Sequence, residues 1–526
     1  MILTCGVTVV MLSAGLLGQI VFPATGITTK GQAMLLAIDD ASLPLKRNLC
    51  YYLTKPTVHP EPVLLPSRDN PHAVDYLGCH FYGGVVHEGG KYRMWYYPVS
   101  LGRNPDISPE QKKASDFWTA QLWLGTVCYA ESQDGIHWTK PNLGQLLFKG
   151  NRDNNALDMP DALIEGVHVI RDVEEPDTNR RYKMVMNVFL PGGMPTIRTA
   201  TSADGIHWNA AKQTALGGDF IEESSIYRFN DLYFVNGQTF AVGNNGRRLG
   251  RSCYVRVSTD FDHWLPEPAE SFVLPDPADA GKTVEHGRRD ETHIGVGAAP
   301  FGNVLVGIYC IWHNDDDFGK ISGDFGLVVS NDGVRFREPV KGYRWLTAQD
   351  SAVTPVPGQD YPTILCQGNG ILNVGNETRI YHGRWRNVNY SRRDAKPEDY
   401  YAEVALATIP RDRWGALGLF PGQAEGSMWS CPMTLPEGGC DIVLNADGAN
   451  GMRVEVADER FIPIADFSGD ASGAAAAADG LDVAVRWPKG DLKMLGGKTV
   501  RLRVHVRKTG AVEPRLYAIY LSSRGR

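Results

Sequence analysis

Apolar and polar residues alternate at every second position through much of the chain. The runs VCYAES, IRTATS, CYVRVS and GLVVS each lead into a short turn. Between those turns stand GGKYRMWYY at Gly89 to Tyr97, RRYKMVMNV at Arg180 to Val188, NDLYFVNGQ at Asn230 to Gln238, VLVGIYCIW at Val304 to Trp312 and ETRIYHGRW at Glu377 to Trp385. A period of two, bounded by turn residues, predicts strands joined as hairpins. The turn itself returns as SQDGIHW at Ser132 to Trp138, SADGIHW at Ser202 to Trp208, STDFDHW at Ser258 to Trp264 and SNDGVRF at Ser330 to Phe336, at spacings of 70, 56 and 72 residues. That period suits a unit of about four strands. The pattern predicts an all-β fold, with a five-bladed β-propeller over residues 27–420 and its ring of blades running from about 50 to 415.

The turn explains itself locally. Ser and Asp accept backbone hydrogen bonds, Gly135, Gly205 and Gly333 tolerate a positive φ, and the closing aromatic packs back onto the blade. Its Asp, His and Trp also suit a sugar- or calcium-binding loop, but recurrence at equivalent places is the behaviour of a structural element. After IPRDRWGAL at Ile409 to Leu417 the period stops. Residues 425–526 show CDIVLNAD, MRVEVADE, LDVAVRW, TVRLRVHVR and RLYAIYL, with an Ala- and Gly-rich loop from Ala471 to Gly480, and predict a C-terminal β-sandwich.

Composition agrees with short strands and tight turns: 57 Gly, 32 Pro, 10% aromatic and 21% charged residues. A formal charge of −7 without a long basic run leaves no footprint for nucleic acid. Residues 2 to 23 are apolar and are followed by the small residues Ala24, Thr25 and Gly26, so residues 1–26 read as a signal peptide, with a membrane anchor or a misplaced start as alternatives. A secreted or periplasmic protein follows, with no other membrane segment. The nine cysteines form no C-x-x-C pair, which argues against zinc ribbons, and only Cys431 and Cys440 are close enough in sequence to suggest a local disulfide.

Chemistry on a propeller is assembled in the axial funnel from residues at the starts of the inner strands. Asp75 precedes the first, with Tyr76 and His80 beside it. Asp161, Glu165 and Asp172 surround the second, Glu222 and Glu223 open the third, and Asp290, Glu291 and His293 open the fourth. The fifth carries no acid, only QGNG at Gln367 to Gly370. Paired carboxylates in a walled cavity push their pKa values apart, which is what glycosidic cleavage needs of its acid and its base or nucleophile.

On blade count, the SxDGxxW turn and the segment EPVLLPSRDNPHAVDYLGCHFYGGVVHEGGKYRMWYY, the chain resembles the five-bladed propeller glycosidases of glycoside hydrolase families 43, 32, 62, 68, 117 and 130. The resemblance implies Asp75 as base or nucleophile, Glu222 of IEESSI as acid with Glu223 as alternate, and a tuning role for one of Asp161, Asp172 and Asp290. WxNDPNG is absent, and Glu223-Ser224 stands where Gly-Pro is usual. The resulting expectation is a glycosidase acting on a furanosidic or a plant- or algal-derived glycan, with Asp75, Glu222, Asp290 and Glu291 as catalytic carboxyls. His80, Tyr76, Asp161, Asp172, Glu223, His293, Trp312 and Trp385 would bind the sugar. No organic cofactor is expected, and a structural calcium in the axis is allowed for. The rival expectation is a carbohydrate-binding or scaffold propeller whose Tyr76, Trp95, Trp312 and Trp385 stack on sugars without cleavage.

Overall fold

The computed structural model describes residues 18–102, 122–161, 163–189, 195–216, 220–242, 248–272, 289–314, 318–388 and 396–524. Most of the apolar N-terminal stretch, and Cys5 with it, lies outside these residues, although its end forms the strand Gln19–Phe22. The alternating runs are strands, and no α-helix occurs among the described residues. No helix there is long and apolar enough to cross a membrane.

The chain divides into two units, one of residues 37–40 and 51–417, the other of residues up to 36, 41–50 and 418 onward. In the larger unit the antiparallel strands form quartets. Gly78–Glu88, Lys91–Leu101, Cys128–Ser132 and Trp138–Thr139 pair in succession. Ile164–Arg171, Tyr182–Phe189, Pro195–Ser202 and Asn209–Ala210 do the same, as do Glu222–Phe229, Leu232–Val242, Arg248–Ser258 and Ala269–Phe272. Arg289–Phe301, Val304–Asn314, Ser322–Ser330 and Arg344–Leu346 follow. In the last group Ile371–Val374, Glu377–Arg386 and Tyr401–Pro410 are completed by Thr57–Val58, so a strand from before the first quartet closes the final one. Pairing across the two ends of the unit leaves that edge covered.

Successive quartets bury their faces against each other. Trp95 and Tyr129 of the first pack on Val167, Tyr182, Met184 and Met186 of the second, and Val185 and Ile197 of the second pack on Ile226, Val235 and Phe261 of the third. Each buried aromatic removes on the order of 200 Å² from water, worth up to about 5 kcal/mol before entropy is counted.

The repeated turns lock this packing. In the second copy the Ser202 hydroxyl accepts the Gly205 N–H at 2.9 Å, and Asp204 Oδ1 accepts the N–H groups of Ile206 and His207 at 2.9 and 2.8 Å. The Gly205 carbonyl then accepts from Trp95 Nε1 of the preceding quartet at 2.8 Å. Tyr381 reaches Gly135 O at 2.8 Å and Tyr227 reaches Gly333 O at 2.7 Å in the same way. The third copy has Phe261 at the glycine position, with φ +71. That left-handed conformation costs an L-residue about 1–2 kcal/mol, offset here by a fully buried ring packed on Tyr233 and Trp264.

In the smaller unit the outward and inward residues of Thr499–Arg507 alternate strictly in burial. This strand pairs with Glu425–Trp429 and Arg453–Asp458. Gln19–Phe22 pairs with Met433–Thr434, and Gln32–Leu36 with Arg515–Ser523. Residues 27–36 therefore belong with the C-terminal strands, whereas the sequence pattern had counted them with the propeller. The Ala- and Gly-rich stretch expected as a loop contains the strand Gly473–Ala475. Cys431 and Cys440 are buried thiols and form no bridge, which corrects the disulfide suggested by their proximity in sequence.

Candidate functional site

The innermost strand of each of the first four quartets is broken by a register shift near its start: between His80 and Gly84, Ile164 and Gly166, Glu223 and Ser225, and His293 and Val296. Bulges of this kind re-aim side chains out of the ladder. Here they coincide with the candidate residues. At the fourth bulge Ile294 has φ +50 and Gly295 φ +109, a costly conformation for a β-branched residue. Neighbouring amides hold it there. Gln238 Oε1 accepts the Ile294 N–H at 2.8 Å, Asn236 Oδ1 accepts the Val296 N–H at 2.9 Å, and Gln367 Nε2 donates to the His293 and Gly295 carbonyls at 2.7 and 2.8 Å.

QGNG, which carries no acid, is the knot that ties these strands together. The Asn369 backbone bonds Gly83 O at 2.8 Å and the Val85 N–H at 2.9 Å, while its side chain accepts the Ile226 N–H at 3.0 Å and donates to Ile226 O at 2.7 Å. A Cβ on Gly368 would stand 2.4 Å from Gly83 O, so only glycine permits the approach. Amide hydrogens already occupy the carbonyls converging here. Among the described residues no group of three or more His, Cys, Asp or Glu side chains could hold a metal ion.

Glu165, Glu222, Gln238, Arg251, Glu291 and His293 form one electrostatic and hydrogen-bonded group. Gln238 Nε2 donates to Glu222, and the Arg251 N–H donates to Glu291 at 2.9 Å. The Arg251 guanidinium donates to His293 Nδ1 and lies 4.6 Å from the Trp312 ring centroid. Since Nδ1 accepts, His293 carries its proton on Nε2, which donates to the Tyr82 hydroxyl at 2.8 Å. Burial, then the charge of Arg251, holds the His293 pKa well below the usual imidazole value, so the ring is neutral. Beyond Tyr82, His80 stacks on Tyr97 at 4.7 Å, meets Trp385 edge-on at 5.6 Å and bonds Tyr400. Burial holds His80 at a pKa of about 3.

Two carboxyls in this group are half-buried and feel each other's charge. Burial and the neighbouring Glu222 push Glu165 up to about 8, against the pull of Arg251. Burial also raises Glu222, but Arg251 and the hydrogen bond from Gln238 oppose the rise by favouring the ionised form. The arrangement keeps one proton on Glu165 and prepares Glu222 to carry the negative charge.

The other expected residues are placed differently. Asp75 is buried, and its Oδ2 accepts from Lys140 Nζ at 2.5 Å and the Tyr96 hydroxyl at 2.7 Å. Burial works to raise its pKa, but the Lys140 charge and these hydrogen bonds outweigh it and lower the net value. Asp75 is thus the buried partner of the half-buried Lys140 beside the first quartet. Asp161 is held by Arg198 at 2.5 and 3.0 Å. Asp172 is held by Arg228 at 2.8 Å and Tyr233 at 2.5 Å. Asp290 bonds His313 at 2.7 Å, and His313 in turn meets Asp324 at 3.0 Å. Tyr76 lies under the Arg68 guanidinium at 5.2 Å. Glu223 is buried beside Gly166, with neither oxygen in good hydrogen-bonding geometry, and burial raises its pKa well above the carboxylate range. Glu222, Glu291, His80, His293, Trp312 and Trp385 are therefore in the connected network. Asp75, Asp161, Asp172, Asp290 and Tyr76 are engaged elsewhere.

Sequence reasoning missed Arg251, Gln238, Tyr82 and Tyr400 and undervalued Glu165. Tyr82 was within reach, because it stands two residues after His80 on the same strand. Arg251 carries no motif, and its place depends on pairing between strands.

No family model matches the chain. The uncharacterized protein Rv1502 of Mycobacterium tuberculosis is 29% identical over 174 residues, or 33% of this chain, which thus covers 42% of that relative's length. Similar solved structures include a glycosyl hydrolase from Bacteroides ovatus, with 13% identity over 69% of this chain and 95% of that one at a TM-score of 0.41. A beta-1,2-mannobiose phosphorylase from Listeria innocua shares 14% identity over 69% and 97%, with a TM-score of 0.41. An N-acetylgalactosamine deacetylase from F. plautii shares 14% identity over 69% and 96%, with a TM-score of 0.43.

Proposed function

We propose that the chain is a glycoside hydrolase, with the larger unit a five-bladed propeller, one quartet to each blade, and the smaller unit a β-sandwich. The observation that carries the reading is the half-buried pair of Glu165 and Glu222 on adjacent inner strands, with Arg251 and Gln238 favouring ionisation of Glu222. Glu165 is the acid that protonates the departing glycosidic oxygen, and Glu222 is the carboxylate that activates water or attacks the anomeric carbon. Glu222 thereby takes the role expected of Asp75, and Glu165 the one expected of Glu222, because a donor on Glu222 stabilises its charge while Asp75 is paired with Lys140. Trp385, half-buried, supplies an apolar face for a sugar ring.

The test is hydrolysis of a glycan panel by the wild-type chain and by Glu165→Gln. Turnover by the wild type that falls at least a hundredfold in the variant, with recovery on substrates bearing activated leaving groups, supports the reading. Binding of a glycan without turnover by the wild type would instead identify a carbohydrate-binding propeller.

A further inference from the structure

In the smaller unit the ladder registers place a row of cations across one sheet face. Arg47 pairs with Ser427, Ser427 with His505, His505 with Arg453, Arg453 with Ala474, and Ala474 with Arg486. Residues directly opposite in antiparallel strands project to the same side, so these six stand in one line. At about 4.8 Å per strand the line spans roughly 24 Å, with the arginines near 0, 14 and 24 Å and His505 near 10 Å. The next row on the same face carries Trp429 opposite Arg503 and Arg503 opposite Glu455.

The face is open to solvent, and its cations are only partly neutralised. Arg47, Arg453 and Arg486 are exposed. Glu455 bonds His505 at 2.7 Å and reaches Arg503 at 3.6 Å. Among the described residues no ion pair is made by Arg47, Arg453 or Arg486. The reverse face of the same strands is apolar, with Val454, Val456, Leu502 and Val504 buried. Stability therefore accounts for the inward residues and leaves the outward arginines without a packing role.

We propose that this face binds an extended, carboxylate-bearing polysaccharide laid across the strands. Guanidinium forks match carboxylates bidentately, and a line of them spaced along a flat sheet complements a polymer with repeating negative charge. A single-stranded nucleic acid would need successive aromatic platforms for its bases. Here Trp429 has Arg503 over its ring at 5.2 Å and the edge of Phe461 at 5.2 Å, so charge dominates recognition. The proposal does not depend on Glu165 or Glu222.

The experiment uses the full chain, with polygalacturonate as the probe and its fully methyl-esterified form as the uncharged counterpart, titrated calorimetrically at low and high salt. Polygalacturonate should bind at least tenfold more tightly than the ester, weaken with salt, and lose at least tenfold in affinity in Arg453→Ser/Arg486→Ser. Arg47→Ser/Arg486→Ser, at a different strand, serves as a second variant, and near-ultraviolet circular dichroism checks that both fold. Equal binding of the two polymers, no binding of either, or unchanged affinity in both folded variants overturns the proposal. So does equally tight binding of single-stranded DNA or phosphatidylserine vesicles at the same ionic strength. Loss of turnover in Glu165→Gln with polymer binding intact separates the fate of this surface from that of the acid pair.

Discussion

The turns and the acid group use similar chemistry to opposite ends. Each of the first three turns holds an Asp–His pair at 2.7 or 2.8 Å beside a Trp, exposed to water, repeated at equivalent places and satisfied by its own backbone. The hydrogen bonds that lower Asp204, against a burial contribution that raises it, come from His207 and the turn's own N–H groups. Glu165 and Glu222 occur once each, come from different strands, and are raised by burial. A carboxylate whose lone pairs are filled by its own turn has nothing left for a substrate. A carboxyl desolvated beside a second carboxyl retains both a proton to give and a charge to place.

The comparison breaks most sharply in activity. Glu165→Gln and Glu222→Gln should each lower kcat/KM by about 10²–10⁴-fold, roughly 3–5 kcal/mol of transition-state stabilisation, whereas Asp134→Asn should leave kcat/KM per folded molecule unchanged. Steady-state kinetics on one natural glycan decides it. An active Glu165→Gln would remove the acid assignment.

Stability against pH gives the second contrast. Burial, then the charge of Glu222, pushes Glu165 in the folded chain up to about 8 from its ordinary value of 4.5. Below about pH 4.5 both states hold the proton, and between there and about 8 the folded chain keeps a proton that the unfolded chain has released. Stability from this group is thus complete below about pH 4.5 and lost as pH rises toward 8, by an amount on the order of a few kcal/mol. The denaturant midpoint of the wild type relative to that of Glu165→Gln should fall over that window; taking the difference cancels the buried His80 and His293, whose lowered pKa values make both chains gain stability as pH rises toward about 6.5. A difference between the two chains that does not fall between about pH 4.5 and 8 would show Glu165 to be ionised in the folded chain.

Asp75 sharpens the contrast from the structural side. Asp75→Asn leaves the Lys140 ammonium without its partner in a site where the lysine side chain is 21% exposed and the aspartate side chain 3%. Breaking a buried pair costs about 3–5 kcal/mol, and the partial access of Lys140 to water should reduce this to about 2–4 kcal/mol. Urea unfolding of Asp75→Asn and of Asp75→Asn/Lys140→Met measures it, with the double variant recovering part of the loss. If the single variant is fully stable but inactive, Asp75 belongs to catalysis.

The strands and the repeated turn were legible in the sequence because both are local: alternation and a seven-residue motif carry their own hydrogen-bonding logic. Glu222, His293, Trp312 and Trp385 were legible as strand-start or strand-end residues. The Lys140 partner of Asp75 was not legible, because it lies 65 residues away and nothing in HAVDYLG announces a lysine. QGNG shows only the lack of an acid in sequence, while its function as a knot depends on Gly83, Val85 and Ile226 from two other strands. Arg251 and the bulge at Ile294 arise from register, which alternation leaves open by any even number of residues.

The smallest expected effect tests whether the turns are structural at all. Asp204→Ala removes the Oδ1 acceptor of two backbone N–H groups and the Oδ2 partner of His207 at 2.7 Å. These groups are exposed enough for water to replace the lost acceptor, so the cost should resemble that of a lost helix cap, about 1 kcal/mol. Gly205 should be less tolerant, since its φ is +77 and an added Cβ would stand 2.7 Å from the Trp95 ring. Gly205→Ala should therefore exceed Asp204→Ala in lost stability, and neither should change kcat/KM or its pH profile. Chemical denaturation and kinetics on both variants provide the measurement. A change in glycan affinity without a change in stability would turn the motif from a staple between quartets into a binding loop, and the contrast with the acid pair would fail.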